Sequence, residues 1–359
     1  MGLSIFYATD ADAVRWDEYV AAYARTRGEA CNHAFLYWWG QIFSQVFGHR
    51  PFYCGVERDG KIVGVLPLSL VSSVLFGRSL ISVPYLNAGG PLADDGEVLA
   101  LLLNEVTRQA AAERVKYVEL RAAGAITVGA LEGVAEPLHL RTHKVAMRLP
   151  LTANPEQMFN DLPAKLRSQV RKPSKAGFIA MRFSGTSENA LEQLYHVFSR
   201  NMRDLGTPVY PRKLFVETGK RFGDRSSITV VSRHGSPAAA AMTIAGCGTI
   251  EVLWASSLRA YNHESPNMLL YWELIKQAIE QGYSEFDFGR SSKDSGTYRF
   301  KEQWGAKPHQ LMWYYLGAAT AIPDINPKSS KFSLMVDIWR RLPLPLANTL
   351  GPVLTKNLP

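Results

Sequence analysis

A chain of 359 residues exceeds what one hydrophobic core ordinarily fills, and a composition 47% hydrophobic and 20% charged is that of a globular protein, so two units with separate cores are expected. Three cysteines, Cys31, Cys54 and Cys247, are an odd number without C-x-x-C spacing, which argues against a disulfide framework or zinc site and for a reducing compartment. The excess of 40 Lys+Arg over 32 Asp+Glu, +8 in all, favours anionic partners without choosing among them: phosphorylated glycolipid, tRNA, acyl carrier protein or the inner membrane face.

The opening MGLSIFYATDADAVRW lacks a basic start followed by an apolar run of signal-peptide length, so a cytoplasmic location is expected. No segment approaches the roughly 18 uninterrupted apolar residues of a membrane span; residues 62–76, the most apolar, contain Gly, Pro and Ser and read as buried strand. In the first half, residues 4–7 suggest a strand, 12–25 and 35–47 helices, and 52–57, 62–71 and 80–83 strands, with Asp59-Gly60 as a tight hairpin turn. Residues 97–113 then read as a helix, and 117–121 and 143–149 as strands. His33, Tyr37, Trp38 and Trp39 cluster in one helical stretch, where Trp38 and Trp39 suit either stacking on a sugar or filling the core. The loop PYLNAGGP, residues 84–91, is turn-rich and polar; its glycines serve close approach to a ligand or a simple tight turn.

Between the halves stands NPEQMFNDLPAKLRSQVRKPSKAG, residues 154–177. Asn154 and Asp161 are N-cap types, Pro155 and Pro163 suit first turns, and Gly177 is a stop. Lys165, Arg167, Arg171, Lys172 and Lys175 crowd together with no acidic residue among them, a run that is stable only if solvated or facing an anion. Arg167 and Arg171, four apart, share a helix face, and their forked donors suit phosphate oxygens. Pro173 is expected to kink or end that helix.

The second half repeats the order: helices at 189–204 and 212–222, a meander at 228–233, 238–245 and 250–256 turning on His234-Gly235, and an amphipathic helix at 266–281. Two helices, three antiparallel strands, a helix, a strand, a helix and a strand is the order of the GNAT acyltransferase fold, and its appearance twice suggests a tandem duplication of element order. The expected fold is therefore α/β, with mixed sheets in two tandem GNAT-like domains, at 1–150 and 151–322, followed by a tail at 323–359.

The most informative stretch is SEFDFGRSSKDSGTYRFKEQWGAKPHQLMWYY, residues 284–315. Residues 284–288 read as a strand that Gly289 breaks; Asp294 or Ser295 caps a short helix carrying Tyr298, Phe300, Lys301 and Trp304; residues 311–316 form the closing strand. A basic surface helix between strands and an active-site wall remain equally open on the residues alone. Phe300-Lys301 resembles the Phe-Lys pair of the FemABX peptidyl transferases, and FDFGRSSKDSGTYRFKEQWGA is similar to the FemAB-like proteins associated with PEP-CTERM/exosortase and exopolysaccharide systems, which overlap a BioF2-like acetyltransferase domain. The likeness covers nearly the whole chain, is specific in the last hundred residues of the core and is much looser before Leu149. It implies aminoacyl or acyl transfer to an amine or hydroxyl of a peptidoglycan, cell-envelope or exopolysaccharide precursor.

It also implies roles. Lys301 would stand beside a developing oxyanion, with Phe300 and Trp304 excluding water. Asp287 or Glu285 would take the nucleophile's proton, although a strand-end Asp more commonly bonds the next loop. Arg290 and Arg299 would bind an acceptor phosphate or carboxylate, or make ordinary salt bridges. Lys165, Arg167 and Arg171 would hold a diphosphate, and Asn87 and Gly89 would face the acceptor cleft. The segment SLRAYNHESP, residues 257–266, lacks the Gly-rich pyrophosphate loop of acetyl-CoA enzymes, so aminoacyl-tRNA or a carrier-bound acyl group is expected as donor rather than acetyl-CoA, with no tightly bound cofactor and no metal. The acceptor would be a saccharide or lipid-linked phosphorylated molecule. The tail is Pro-rich, basic and amphipathic; peripheral contact with the inner membrane and packing across the two domains are competing accounts. A non-catalytic protein that binds a phosphorylated saccharide precursor is the alternative function.

Overall fold

The structure is a computed structural model that describes residues 2–27, 31–74, 76–122, 124–126, 138–317 and 330–358. In chain order its elements begin with β1 (Leu3–Tyr7), α1 (Ala13–Arg27), α2 (Trp38–Phe47), β2 (Arg50–Arg58), β3 (Lys61–Ser73), β4 (Gly77–Ser82), β5 (Leu92–Ala93), α3 (Gly96–Ala112), β6 (Tyr117–Ala122), β7 (Leu138–Arg141) and β8 (Lys144–Pro150). They continue with α4 (Pro155–Asp161), α5 (Ala164–Lys175), β9 (Ile179–Ser184), α6 (Glu188–Leu205), α7 (Arg212–Phe222), β10 (Ser226–Arg233), β11 (Ser236–Gly246) and β12 (Thr249–Ser257). The chain closes with α8 (Pro266–Glu280), β13 (Glu285–Ser292), α9 (Gly296–Glu302), β14 (Lys307–Gln310), β15 (Met312–Leu316), α10 (Ser330–Arg341) and α11 (Leu344–Thr355).

The chain divides into two compact units. One comprises the described residues of 1–146, 309–324 and 356–359, the other those of 147–308 and 325–355. The sheet of the first runs β1-β2-β3-β4-β6-β15-β7, with β5 on β3; that of the second runs β14-β8-β13-β12-β11-β10-β9. Both are mixed: β4 pairs in parallel with β6 and β12 with β13, whereas β1-β2-β3-β4 and β9-β10-β11-β12 are antiparallel meanders.

Local chemistry explains the meanders. Three two-residue loops have both residues at positive φ, Asp59-Gly60 (53° and 76°), His234-Gly235 (49° and 77°) and Cys247-Gly248 (54° and 81°), the conformation whose twist matches paired antiparallel strands. The apolar alternation between them feeds one core per unit: Val56, Leu66, Leu80, Leu102, Val118 and Leu120 pack together in the first. In the second, α6 and α8 cover β10, β11 and β12, burying Leu194, Val197, Leu274 and Ile275.

Several expectations are corrected. Residues 311–316 were expected to close the second half, but β15 lies in the first sheet, antiparallel to β6 and β7. Residues 143–149 were expected to close the first half, but β8 lies beside β13 in the second sheet. The order of elements along a chain says nothing of which sheet edge a strand fills, and each parallel strand takes its outer neighbour from the other half. The helix expected at 35–47 begins only at Trp38, because Leu36 is extended (ψ 145°) after a short 3-10 turn. Pro173 does not end α5, which runs on to Lys175; so close to the C-terminus the ring removes a single helical bond. Asp161 ends α4 instead of capping α5, whose N-cap is Pro163. Strand β9 was not expected: it has β10 as its one sheet neighbour and leaves Ile179 and Met181 exposed, so burial imposes no clean alternation on it.

Candidate functional site

Strands β12 and β13 pair through Thr249–Glu285, Ile250–Phe286 and Glu251–Asp287, and there the pairing stops although both strands continue. Beyond Glu251 and Asp287 they splay. Two irregularities coincide with the separation: β12 carries an extra residue, Leu253, between the partners of Thr243 and Met242, and Gly289 of β13 has a φ of 74°, open to glycine and strained for other residues. Asp287 Oδ1 accepts the Gly289 N–H at 2.7 Å, and Lys301 Nζ, from the last turn of α9, donates to the carbonyls of Gly289 and Arg290 at 2.9 Å each. Ser295 caps α9 by accepting from the Tyr298 N–H and thereby aims Lys301 back at β13. The motif Asp-Phe-Gly-Arg followed by Phe-Lys is thus a knot that binds the end of β13 to the helix after it.

The knot sits in a buried charge cluster. Asp287 is 3% exposed, Glu251 2% and Lys301 7%. Arg148, from β8, holds its Nε 3.3 Å from Asp287 Oδ2 and its Nη1 3.5 Å from Glu285 Oε1. The Nε makes no aligned hydrogen bond, so Arg148 acts here through charge. Burial pushes the Asp287 carboxyl up to about 7 and the neighbouring Glu251 adds to the rise, while Arg148, the Gly289 N–H and Lys301 oppose it. Burial pulls Lys301 down to about 8 against the attraction of Asp287 and Glu251. An acid and a base whose pKa values converge on neutrality from opposite sides are suited to exchanging a proton near pH 7.

In the same unit a cleft of about 180 Å³ opens where β12 has left β13, lined by Asn201, Ser256, Ser257, Asn267, Tyr271 and Phe300 among others. Asn201 Nδ2 donates to Ser256 Oγ at 3.0 Å, and Phe300 stands edge-on to Tyr271, centroids 4.9 Å apart. Phe300 lines the cleft; Lys301, the next residue, faces β13. Arg290 and Arg299 are exposed.

The cationic run is divided by the structure. Arg167 donates to the carbonyls of Asn160 and Leu162 and so closes the turn between α4 and α5. The Arg171 guanidinium lies 5.0 Å from the centre of the Phe159 ring, Lys172 donates to the His263 carbonyl, and Lys165 is exposed. In the first unit, Trp39 is fully buried and donates to the His33 carbonyl, whereas Trp38 is half-buried. The Gly89 N–H bonds the Arg121 carbonyl, and a Cβ at Gly89 would meet Val83 at 2.3 Å, so close packing requires that glycine. Asn87 accepts from Trp313 Nε1 through its carbonyl at 3.2 Å.

Glu251 and Arg148 were missed by sequence reasoning. Each is a lone charged residue in an apolar strand, IEVLW and AMRLP, and that isolation is the signal that marks them. Among the described residues no disulfide joins the three cysteines.

Residues 162–302, which contain the splayed strands, the cleft and all of the knot, match the acetyltransferase (GNAT) domain model. No curated protein sequence matches the chain. Among solved structures the chain is similar to FemX, with 14% identity and a TM-score of 0.65 over 87% of this chain and 96% of that one. It is similar to a tandem GNAT protein from the clavulanic acid biosynthesis pathway, with 14% identity and a TM-score of 0.56 over 90% and 100%. It is also similar to the C-terminal domain of a putative lysylphosphatidylglycerol synthetase from Agrobacterium fabrum, with 11% identity and a TM-score of 0.58 over 87% and 94%. The fold is therefore the mixed α/β GNAT-like fold in tandem, and the second half carries an acetyltransferase (GNAT) domain.

Proposed function

We propose that the protein is an acyltransferase that moves an aminoacyl or acyl group to an amine or hydroxyl of a cell-envelope or exopolysaccharide precursor. The observation that carries this reading is the splay of β12 from β13 at a buried Glu251–Asp287 pair, with Lys301 fastened beside it and an open cleft beyond, all inside the segment that matches the GNAT domain. In the reaction proposed, the acceptor's amine or hydroxyl attacks the donor carbonyl, the carbonyl oxygen takes up negative charge, and collapse of the intermediate expels the carrier's oxygen or sulfur. Lys301 has three N–H groups and commits two to backbone carbonyls, which leaves one for the oxyanion. Asp287, or Glu285 beyond Arg148, takes the nucleophile's proton. Phe300 keeps water from the cleft.

The donor proposed is aminoacyl-tRNA or a carrier-bound acyl group. Two features at the start of α8 support it over acetyl-CoA: Pro266 has no N–H, and the Met268 N–H is already bonded to the Ser265 carbonyl, so few backbone donors remain there for a pyrophosphate. A fold shared with FemX and with a lysylphosphatidylglycerol synthetase domain is in keeping with an aminoacyl cargo. The phosphorylated acceptor rests on the exposed cations Lys165 and Arg171, and the PEP-CTERM setting rests on the resemblance of residues 286–306 alone.

The test offers the purified protein charged tRNA, acyl-CoA and acylated carrier protein in parallel, each with amine- and hydroxyl-bearing saccharide acceptors, and follows acyl transfer by mass spectrometry. Transfer from tRNA or the carrier protein supports the reading in full. Transfer from acyl-CoA alone would correct the donor, and tight acceptor binding without transfer from any donor would favour a non-catalytic binding protein.

A further inference from the structure

Helices α10 and α11 of the second unit each carry apolar residues on two faces. One face is used. Val336 packs against Gly206 and Trp339 is 9% exposed, while Ala347, Gly351 and Thr355, spaced four apart, form a small-residue seam whose Gly351 lies against Val209; both helices rest on α6. The other face is open: Leu334, Met335 and Ile338 on α10, and Leu346, Leu350 and Val353 on α11, are between 46% and 66% exposed. At 100° per residue, Leu346, Leu350 and Val353 form a single stripe, turned well away from the buried seam. Large aliphatic side chains gathered this way on two adjoining helices mark a surface built to be covered.

Charge indicates what covers it. Residues 325–359 contain five cationic residues, Lys328, Lys331, Arg340, Arg341 and Lys356, against one acid, Asp337. Asp337 is itself paired with Arg340 at 3.3 Å, and α11 has no charged residue at all. Arg340 and Arg341 are both exposed at the end of α10; Arg341 falls beside the apolar stripe at 100° per residue, whereas Arg340 turns towards α6 and meets the Leu205 carbonyl. A protein partner would be expected to meet an aromatic anchor, but the aromatic residue whose side chain is described on these helices, Trp339, is buried. An aliphatic stripe flanked by Arg341 in a segment of net positive charge matches the boundary between acyl chains and anionic headgroups instead. We infer that α10 and α11 dock the protein on the surface of an anionic lipid bilayer, the aliphatic stripe entering the acyl boundary and Arg341 engaging a headgroup phosphate. No helix among the described residues is long and apolar enough to cross a membrane, so the contact is peripheral. The inference stands independently of the transfer reaction.

The experiment is flotation of the full-length chain with vesicles of phosphatidylglycerol and of phosphatidylcholine, with binding titrated against lipid and salt. Binding is expected to phosphatidylglycerol, weakening as salt rises, and to be much poorer with phosphatidylcholine. Arg341→Gln should weaken it roughly fivefold. Leu346→Ser with Leu350→Ser and Val353→Ser should reduce it further, with an unchanged circular dichroism melt because all three side chains are exposed. Absence of flotation with phosphatidylglycerol, or flotation insensitive to the serine variant, would overturn the inference. So would self-association that the serine variant abolishes in a chain that binds no vesicle, since the stripe would then be an interface between copies.

Discussion

Replacing Lys301 by methionine separates its structural role from its chemical one, because the side chain keeps its volume while losing charge and donors. The structural loss follows from the geometry. Two hydrogen bonds from an ammonium to buried carbonyls contribute roughly 1.5–3 kcal/mol each, about 3–6 kcal/mol together. Against that, burial lowers the lysine from 10.5 to about 8, and removing a cation so disfavoured recovers about 3 kcal/mol. The net destabilisation is then about 0–3 kcal/mol, a fall in Tm of at most about 12 °C for a unit of this size, so the variant should fold. Turnover should fall about a hundredfold or more if the remaining N–H meets the oxyanion, with acceptor and donor KM little changed. The assay is steady-state transfer at saturating substrates beside a thermal melt. A variant whose Tm drops within this range while turnover stays within about threefold of the parent would make Lys301 purely a tether of β13, and the oxyanion role would be abandoned.

The remaining predictions concern charge. Glu251→Gln removes the like charge beside Asp287, so the acidic limb of the pH–rate profile should move to lower pH; an unmoved limb would show that the two carboxylates do not share a titration. Stability should also carry the signature of the pair. Asp287 holds its proton in the folded state above the unfolded range, so its contribution declines as pH rises from about 4 to about 7; Lys301 releases its proton early, so stability rises from about 8 towards its unfolded value. Urea denaturation of the parent should therefore show its shallowest stability between these windows, and Asp287→Asn should flatten the lower one; an unaltered slope would contradict the assigned shift. Lys165→Gln with Arg171→Gln should raise the apparent acceptor constant and flatten its salt dependence, whereas Arg167→Gln should lower Tm, since Arg167 is committed to two turn carbonyls. Unchanged kinetics in the double variant would leave those cations as solvated surface.

Much of the second half was readable because its signals are local. His234-Gly235, the N-cap pair of Asn154 and Ser295, and the apolar face of α8 each act within a few residues, and the structure places them as the residue types imply. Asp287 and Lys301 were legible for the same reason, lying fourteen positions apart in one motif. What joins them to Glu251 and Arg148 is strand register, which is set by the whole sheet: Glu251 meets Asp287 only because β12 and β13 align in parallel at that pair. The sheet membership of β15 was illegible on different grounds. Its Trp313, Tyr314 and Tyr315 are all under 8% exposed, which announces an interior strand, yet nothing in five aromatic-rich residues names the neighbours they will find.

The two units also differ where duplication would make them alike. In the first, the parallel pairing of β4 with β6 runs from Ser79–Tyr117 to Ile81–Glu119 and then ends, so Glu119 holds the place that Asp287 holds in the second. Glu119, however, is answered from its own strand: Arg121 Nε lies 2.7 Å from its Oε1, and the guanidinium also donates to the Leu86 carbonyl at 2.8 Å. That buried arginine sits against Trp313 and fastens the 83–90 loop over the end of β6, where the Gly89 N–H completes the closure. Two residues past the acid, where β13 has Gly289 with its carbonyl bonded to Lys301, β6 has an arginine that pairs with the acid and braces a loop. Removing the Glu119 side chain would leave Arg121 buried without its carboxylate partner. Asp287 shares its surroundings with a second acid, Glu251, which raises its pKa, and two cations from other elements, Arg148 and Lys301, which oppose that rise. At the same position the first unit has an acid locked to an arginine of its own strand and the second an acid set among charges from three other elements beside a cleft, which is why the proposed chemistry is assigned to β13 and α9.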